Sequence, residues 1–267
     1  YVSVIDVEAR KEVQRVPMEQ AWLGIAFNER GDRFYVSGGG EDEIEACAFE
    51  AGRARALGGT AVKPPGDPTP HFVSGLAVAG DLLLACQLRA NKLAIIDLAR
   101  DNALSYVEVG SYPYTVVQRG GRAFVSNWGS RSVSLIGLGS RRSVPQIDVG
   151  SHPNAMAVSP DGRRLYVTNA NSNELSILDI ETASVLQTLD LSPYPGAPPS
   201  GSTPNGLDLT QDGRTLFIAN ADNNSVTVVD VSSSPARVQG MIPTAWYPTA
   251  VHLARKDSLL LVANGKG

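Results

Sequence analysis

Only two cysteines, three histidines and three methionines occur in 267 residues, and that scarcity removes several kinds of chemistry at once. There is no Cys-x-x-Cys pair and no His-x-x-x-His pair, so the common zinc motifs are not encoded. A Gly-x-Ser-x-Gly elbow and a phosphate-cradling glycine loop are missing too. Gly38-Gly39-Gly40 follows an apolar run, but no helical segment comes after it to hold a phosphate. Cys47 and Cys86 sit among apolar neighbours, which favours buried free thiols over a disulfide. An excess of basic residues is lacking as well. With 23 Lys and Arg against 27 Asp and Glu, the net charge is −4, which argues against nucleic acid as a partner. No apolar run is long enough to span a membrane. No initiating Met is present, so the sequence reads as one domain, residues 1–267, trimmed from a longer protein, and a trimmed start could have removed a signal peptide.

What is present is repetition. An Asn closes an apolar run and an Asp follows ten positions later: Asn169 and Asp179, Asn220 and Asp230. Gln87 with Asp97, Asn127 with Gly137, and Gly38 with Ala48 are weaker copies, and Asn264 opens one more. The first landmarks are 49, 40, 42, 51 and 44 residues apart, the spacing of propellers and solenoids. Within each period, β-branched and apolar runs of about four to six residues alternate with turn formers, as in Leu165–Asn169 and Leu175–Asp179. Helical periodicity is absent. The sequence therefore predicts an all-β propeller of four-stranded antiparallel blades, with five complete blades between two half-blades. The Pro, or its equivalent, that opens a blade stands 16 residues before the landmark in four copies and 14 in two (Val73 to Gln87, Pro113 to Asn127). Tighter hairpins are expected in those two. The Pro-rich segment 192–204 reads as a loop insertion, because the repeat resumes in register after it.

The run Leu165-Tyr166-Val167-Thr168-Asn169, together with Val2-Ser-Val-Ile-Asp6, resembles the YVTN β-propeller repeat, whose members usually have seven blades. Trp22-Leu-Gly-Ile-Ala-Phe27, Tyr35-Val-Ser-Gly-Gly-Gly40, Tyr194-Pro-Gly-Ala-Pro-Pro199 and Val262-Ala-Asn-Gly-Lys-Gly267 are similar to bacterial YVTN propellers joined to a metal-dependent phosphoesterase domain. That resemblance implies a periplasmic or extracellular bacterial protein. It also implies no cofactor in this domain, a divalent metal in the parent, and an adjacent catalytic domain as partner.

Strand direction alternates within a blade, so loops between blades and turns between second and third strands share one side. That side collects the unusual residues: Trp22, His71, Tyr114, Trp128, Arg131, His152, Asn154, Tyr194, Asn205, Trp246 and Tyr247, with Asn173 and Asn224. Exposed aromatics among amides suit a binding surface for a small molecule, glycan or protein; the same residues could instead pack on each other. The landmark Asn and Asp residues read as turn-forming structure. One further anomaly lies on the first strands. Asp208 and His252 occupy matching positions in successive copies, where others carry Ala26, Ala77, Val117 and Ala157. They could form a metal or acid–base pair, or a satisfied hydrogen bond between blades. The expectation is thus a non-catalytic binding propeller that serves a phosphoesterase domain elsewhere. The alternative is a propeller enzyme, lactonase- or lyase-like, using His71, His152 and Asn154, or Asp208 and His252.

Overall fold

A computed structural model describes residues 1–193 and 201–265; Tyr194 and most of the Pro-rich insertion lie outside the described residues. Every regular element in it is a strand. The first sheet pairs β1 (Val2–Asp6) with β2 (Lys11–Val16), and the second runs β3 (Ile25–Phe27), β4 (Arg33–Ser37), β5 (Glu43–Glu50), β6 (Arg53–Ala61). The third runs β7 (Val73–Ala79), β8 (Leu82–Gln87), β9 (Lys92–Asp97), β10 (Ala103–Glu108). In the fourth, β11 (Pro113–Arg119), β12 (Arg122–Asn127) and β13 (Ser132–Gly137) are followed by an interrupted last strand, β14 (Arg142–Ser143) and β15 (Ile147–Asp148). The fifth runs β16 (Pro153–Val158), β17 (Arg164–Asn169), β18 (Glu174–Asp179), β19 (Ser184–Asp190). The sixth runs β20 (Pro204–Leu209), β21 (Thr215–Asn220), β22 (Ser225–Asp230), β23 (Arg237–Pro243). The seventh pairs β24 (Pro248–Ala254) with β25 (Leu259–Asn264). Each sheet is an antiparallel meander, the blade unit expected from the repeat.

The registers confirm the spacing argument. Val73 pairs with Gln87, Pro153 with Asn169, Pro204 with Asn220 and Pro248 with Asn264. The β11–β12 hairpin turns on Gly120 (φ 57°) and Gly121 (φ 74°), the left-handed pair that a tight hairpin needs.

Burial explains why the second and third strands read as unbroken apolar runs. In β17 and β18 four or more consecutive residues are buried, because both faces of the sheet are covered, whereas β19 is mostly exposed. The chain divides into two compact units, residues 1–125 with 135–144, and residues 126–134 with 145–267. The first unit holds cores around Tyr35, Ile44, Leu83 and Ile96, around Leu84, Ile95, Val125 and Ile136, and around Phe34, Val36 and Cys47. The second is centred on Tyr166, Ile177, Leu216, Ile218 and Val229. Cys47 and Cys86 are buried free thiols.

The landmark amides are structural, as expected, but they serve the third strand and not the turn. Asn127 Nδ2 donates to Ser132 Oγ at 3.0 Å and Ser134 Oγ at 2.9 Å. Asn169 Nδ2 donates to Ser176 Oγ at 2.8 Å, and Asn220 Nδ2 to Ser225 Oγ at 3.2 Å and Thr227 Oγ1 at 2.6 Å. All three Asn side chains are fully buried. The Asp landmarks do cap turns. Asp179 Oδ1 accepts the Thr182 amide at 2.7 Å and Asp230 Oδ1 the Ser232 amide at 3.0 Å.

Candidate functional site

In the first unit the predicted surface residues scatter. Trp22 stays exposed and meets Phe72 edge-to-face at 5.2 Å, while Arg89 lies 5.6 Å above the Phe72 ring. Tyr114 is half-buried. His71 is corrected from a surface group to an interior one: only 4% of it is exposed. Its Nε2 contacts Asp67 Oδ2 at 3.0 Å and its amide donates to Asp42 Oδ1 at 2.9 Å. The backbone turn that Asp42 caps draws this residue inward.

The second unit brings the rest into two places. One is the loop region around β16. There Trp128 and His152 stack edge-to-face with ring centroids 4.1 Å apart, and Ser151 Oγ lies 2.9 Å from His152 Nδ1. Just inside, Asn154 is buried and its Nδ2 donates to Asn205 Oδ1 at 2.9 Å, linking β16 to β20. Arg131 is exposed beside the same loop. Trp246 and Tyr247 stand apart from it, in the loop between β23 and β24, with the Tyr247 amide donating to Asn224 Oδ1 at 2.9 Å.

The other place lies between β20 and β24, which pack backbone to backbone. A Cβ added at Gly206 would lie only 2.9 Å from Ala250 Cα and from the Thr249 carbonyl oxygen. Here Asp208 Oδ2 meets His252 Nδ1 at 2.9 Å. The carboxylate is held by two further bonds, from the Leu253 amide to Oδ2 at 2.7 Å and from the Leu209 amide to Oδ1 at 2.9 Å. The Asp208 side chain is 28% exposed and that of His252 is 74% exposed. An Asp on Nδ1 fixes the imidazole tautomer and leaves Nε2 as the proton acceptor. That arrangement can act as a general base on a water or hydroxyl. Among the described residues no group of three or more His, Cys, Asp or Glu is close enough together to hold a metal ion.

Some roles escaped the sequence. Asn173 and Asn224 looked like ligand groups on the aromatic side. In the structure their side-chain oxygens cap backbone amides of the following loop: Asn173 those of Ser202 and Thr203, Asn224 that of Tyr247. The signal was available, because both stand four residues past a landmark, as do Asp42 and Asn91.

Comparison with known proteins bears on the chemistry. The model of the family described as lactonase, seven-bladed β-propeller, matches residues 134–267. Protein YncE of Salmonella typhi, uncharacterized, is 28% identical over 102 residues, 38% of this chain. The alignments span 37% and 26% of the length of the curated relatives matched. A protein from Lactobacillus plantarum superposes with a TM-score of 0.80 at 17% identity, over 98% of this chain and 83% of that one. A putative 6-phosphogluconolactonase from Bacteroides fragilis gives 0.78 at 15% identity, over 97% and 82%. Virginiamycin B lyase from Staphylococcus aureus gives 0.69 at 15% identity, over 88% and 74%.

These findings overturn the expectation of a non-catalytic propeller serving a separate phosphoesterase. The matched family is named for an enzyme activity of the propeller itself, and two of these structural neighbours carry enzyme names. The chain is a β-propeller and belongs to the lactonase family of seven-bladed propellers.

Proposed function

We propose that this propeller is itself an enzyme that opens a cyclic ester, with Asp208 and His252 as its acid–base pair. One observation carries the reading. At a first-strand position filled by Ala or Val elsewhere in the repeat, two neighbouring strands bring a carboxylate and an imidazole to 2.9 Å, with most of the imidazole open to solvent. Family membership supports lactone hydrolysis as the reaction class.

The step proceeds as follows. His252 Nε2 takes a proton from water as the water oxygen attacks the lactone carbonyl carbon. Asp208, acceptor of the Nδ1 proton, stabilises the imidazolium that forms. The tetrahedral intermediate collapses with cleavage of the ring C–O bond, and the imidazolium returns its proton to the departing alkoxide. Water is thus added across the ester, and the product is a hydroxy acid.

The test is a pH-stat assay with glucono-δ-lactone and its 6-phosphate, corrected for spontaneous hydrolysis. Loss of a general base lowers turnover by about 10²–10⁴-fold, so His252→Ala should fall in that range. Asp208→Asn should fall too, since it removes the charge that supports the imidazolium. Unchanged turnover in both variants, with wild-type melting curves, would sink the assignment.

A further inference from the structure

The blade junctions follow a rule that one of them breaks. Four residues past each landmark the backbone is left-handed: φ is 58° at Asp42, 56° at Asn91, 52° at Arg131, 56° at Asn173 and 53° at Asn224. The carbonyl of each of these five accepts an amide from the far end of its own blade: Val62, Val109, Val149, Leu191 and Thr244 in turn, at 2.8–3.0 Å. A second left-handed residue precedes the first strand of the next blade: φ is 61° at Phe72, 53° at Tyr112, 56° at His152, 45° at Thr203 and 58° at Tyr247. The backbone is thus the same at all five junctions.

The side chain is not. At four junctions it supplies an oxygen to the amides that follow. Asp42 Oδ1 takes those of His71 and Phe72, at 2.9 and 2.6 Å. Asn91 Oδ1 takes that of Tyr112 at 3.0 Å, Asn173 those of Ser202 and Thr203 at 2.8 and 3.2 Å, and Asn224 that of Tyr247 at 2.9 Å. At the fifth the residue is Arg131, whose guanidinium has donors only. The Ser151 amide turns to Ser172 Oγ at 3.0 Å. Neither the His152 amide nor the Arg131 guanidinium has a hydrogen-bond acceptor among the described residues.

We propose that this junction binds a small-molecule carboxylate, one oxygen of which replaces the missing side-chain oxygen at the His152 amide while Arg131 neutralises the charge. Asp42 shows that the junction backbone accommodates a carboxylate. It takes two amides there and pairs with Lys63 at 3.0 Å, so an anion and a cation already share the equivalent place. At Arg131 the residue offers a cation and no oxygen to the His152 amide, and the nearby Glu174 carboxylate, beside Gly150, bonds to neither of them. Charge-assisted bonds to a guanidinium are the stronger kind and suit a planar carboxylate. The exposed Trp128 ring, packed on His152, provides an apolar wall for whatever carries the carboxylate. The assignment stands apart from the hydrolysis reading, because it concerns binding and none of its residues belongs to the Asp208–His252 pair.

The experiment is a calorimetric titration with sodium gluconate at constant ionic strength, with chloride and inorganic phosphate as comparison anions. Gluconate should bind the wild type saturably, and Arg131→Asn and Arg131→Gln should weaken it by about tenfold or more. Arg131→Asn restores the residue found at three of the other four junctions. It should therefore also raise the melting temperature, and gluconate should raise that temperature in the wild type but not in the variant. Equal binding by wild type and both variants would overturn the proposal, as would no gluconate binding at all. Binding of phosphate without gluconate would overturn the carboxylate assignment. The hydrolysis reading is tested by turnover in His252→Ala and this one by the dependence of gluconate binding on Arg131, so failure of the one and failure of the other give different results.

Discussion

Replacing Asn220 by alanine tests whether the landmark amide holds the blade together. The side chain is fully buried. Its Nδ2 spans two hydroxyls on the adjacent strand β22, Ser225 Oγ at 3.2 Å and Thr227 Oγ1 at 2.6 Å. Its Oδ1 has no partner, although it is buried. Two buried hydrogen bonds contribute about 1 kcal/mol each net, and truncation leaves a small void that costs about another 1 kcal/mol. Removal of the unpaired Oδ1 recovers part of a desolvation penalty, again about 1 kcal/mol. The expected loss is therefore about 2 kcal/mol, equivalent to roughly 4–8 °C in Tm for a chain of this size. Urea denaturation followed by circular dichroism measures it. Thr227→Val alone and combined with Asn220→Ala completes a double-mutant cycle, whose coupling should be about 1 kcal/mol. Asn220→Ala within about 0.5 kcal/mol of the wild type, or a coupling near zero, would refute the bridge, because surface-like substitutions fall in that range.

Gly206→Ala should destabilise by about 1–3 kcal/mol, since the new Cβ meets the β24 backbone at 2.9 Å. Gly240→Ala, in open space on β23, is the control and should melt as the wild type does. The Cys86 thiol is fully buried and burial pushes its pKa well above the ordinary thiol value of 9.0; the Cys47 pKa is raised for the same reason. Both should resist a thiol reagent at pH 8 in the native protein and react at once in urea, because the thiolate is the reactive form. Fast native labelling of either would contradict the packing.

The fold was legible because one covalent spacing implies one strand pairing. A Pro 16 residues before an Asn becomes Pro153 opposite Asn169, Pro204 opposite Asn220 and Pro248 opposite Asn264, whatever the loops do. The candidate sites were harder to read for a physical reason. Asn, Asp and aromatic residues suit a ligand, but they also suit left-handed turns and blade-end packing, so composition on the loop side cannot separate the two. His71 shows the cost, since a histidine that the repeat places beside surface aromatics proves to be interior and paired with Asp67. Asn173 and Asn224 are caps for the same reason. Only departure from the repeat separates them. A residue type that recurs at one position is explained by what every blade needs, and it carries no information about a site. A residue that breaks the series has lost that explanation and needs another. Asp208 and His252 break a series of alanine and valine, and two neighbouring strands bring that carboxylate and imidazole to 2.9 Å. Arg131 breaks a series of amide-capping oxygens, and it leaves the His152 amide without the side-chain acceptor that the other four junctions supply.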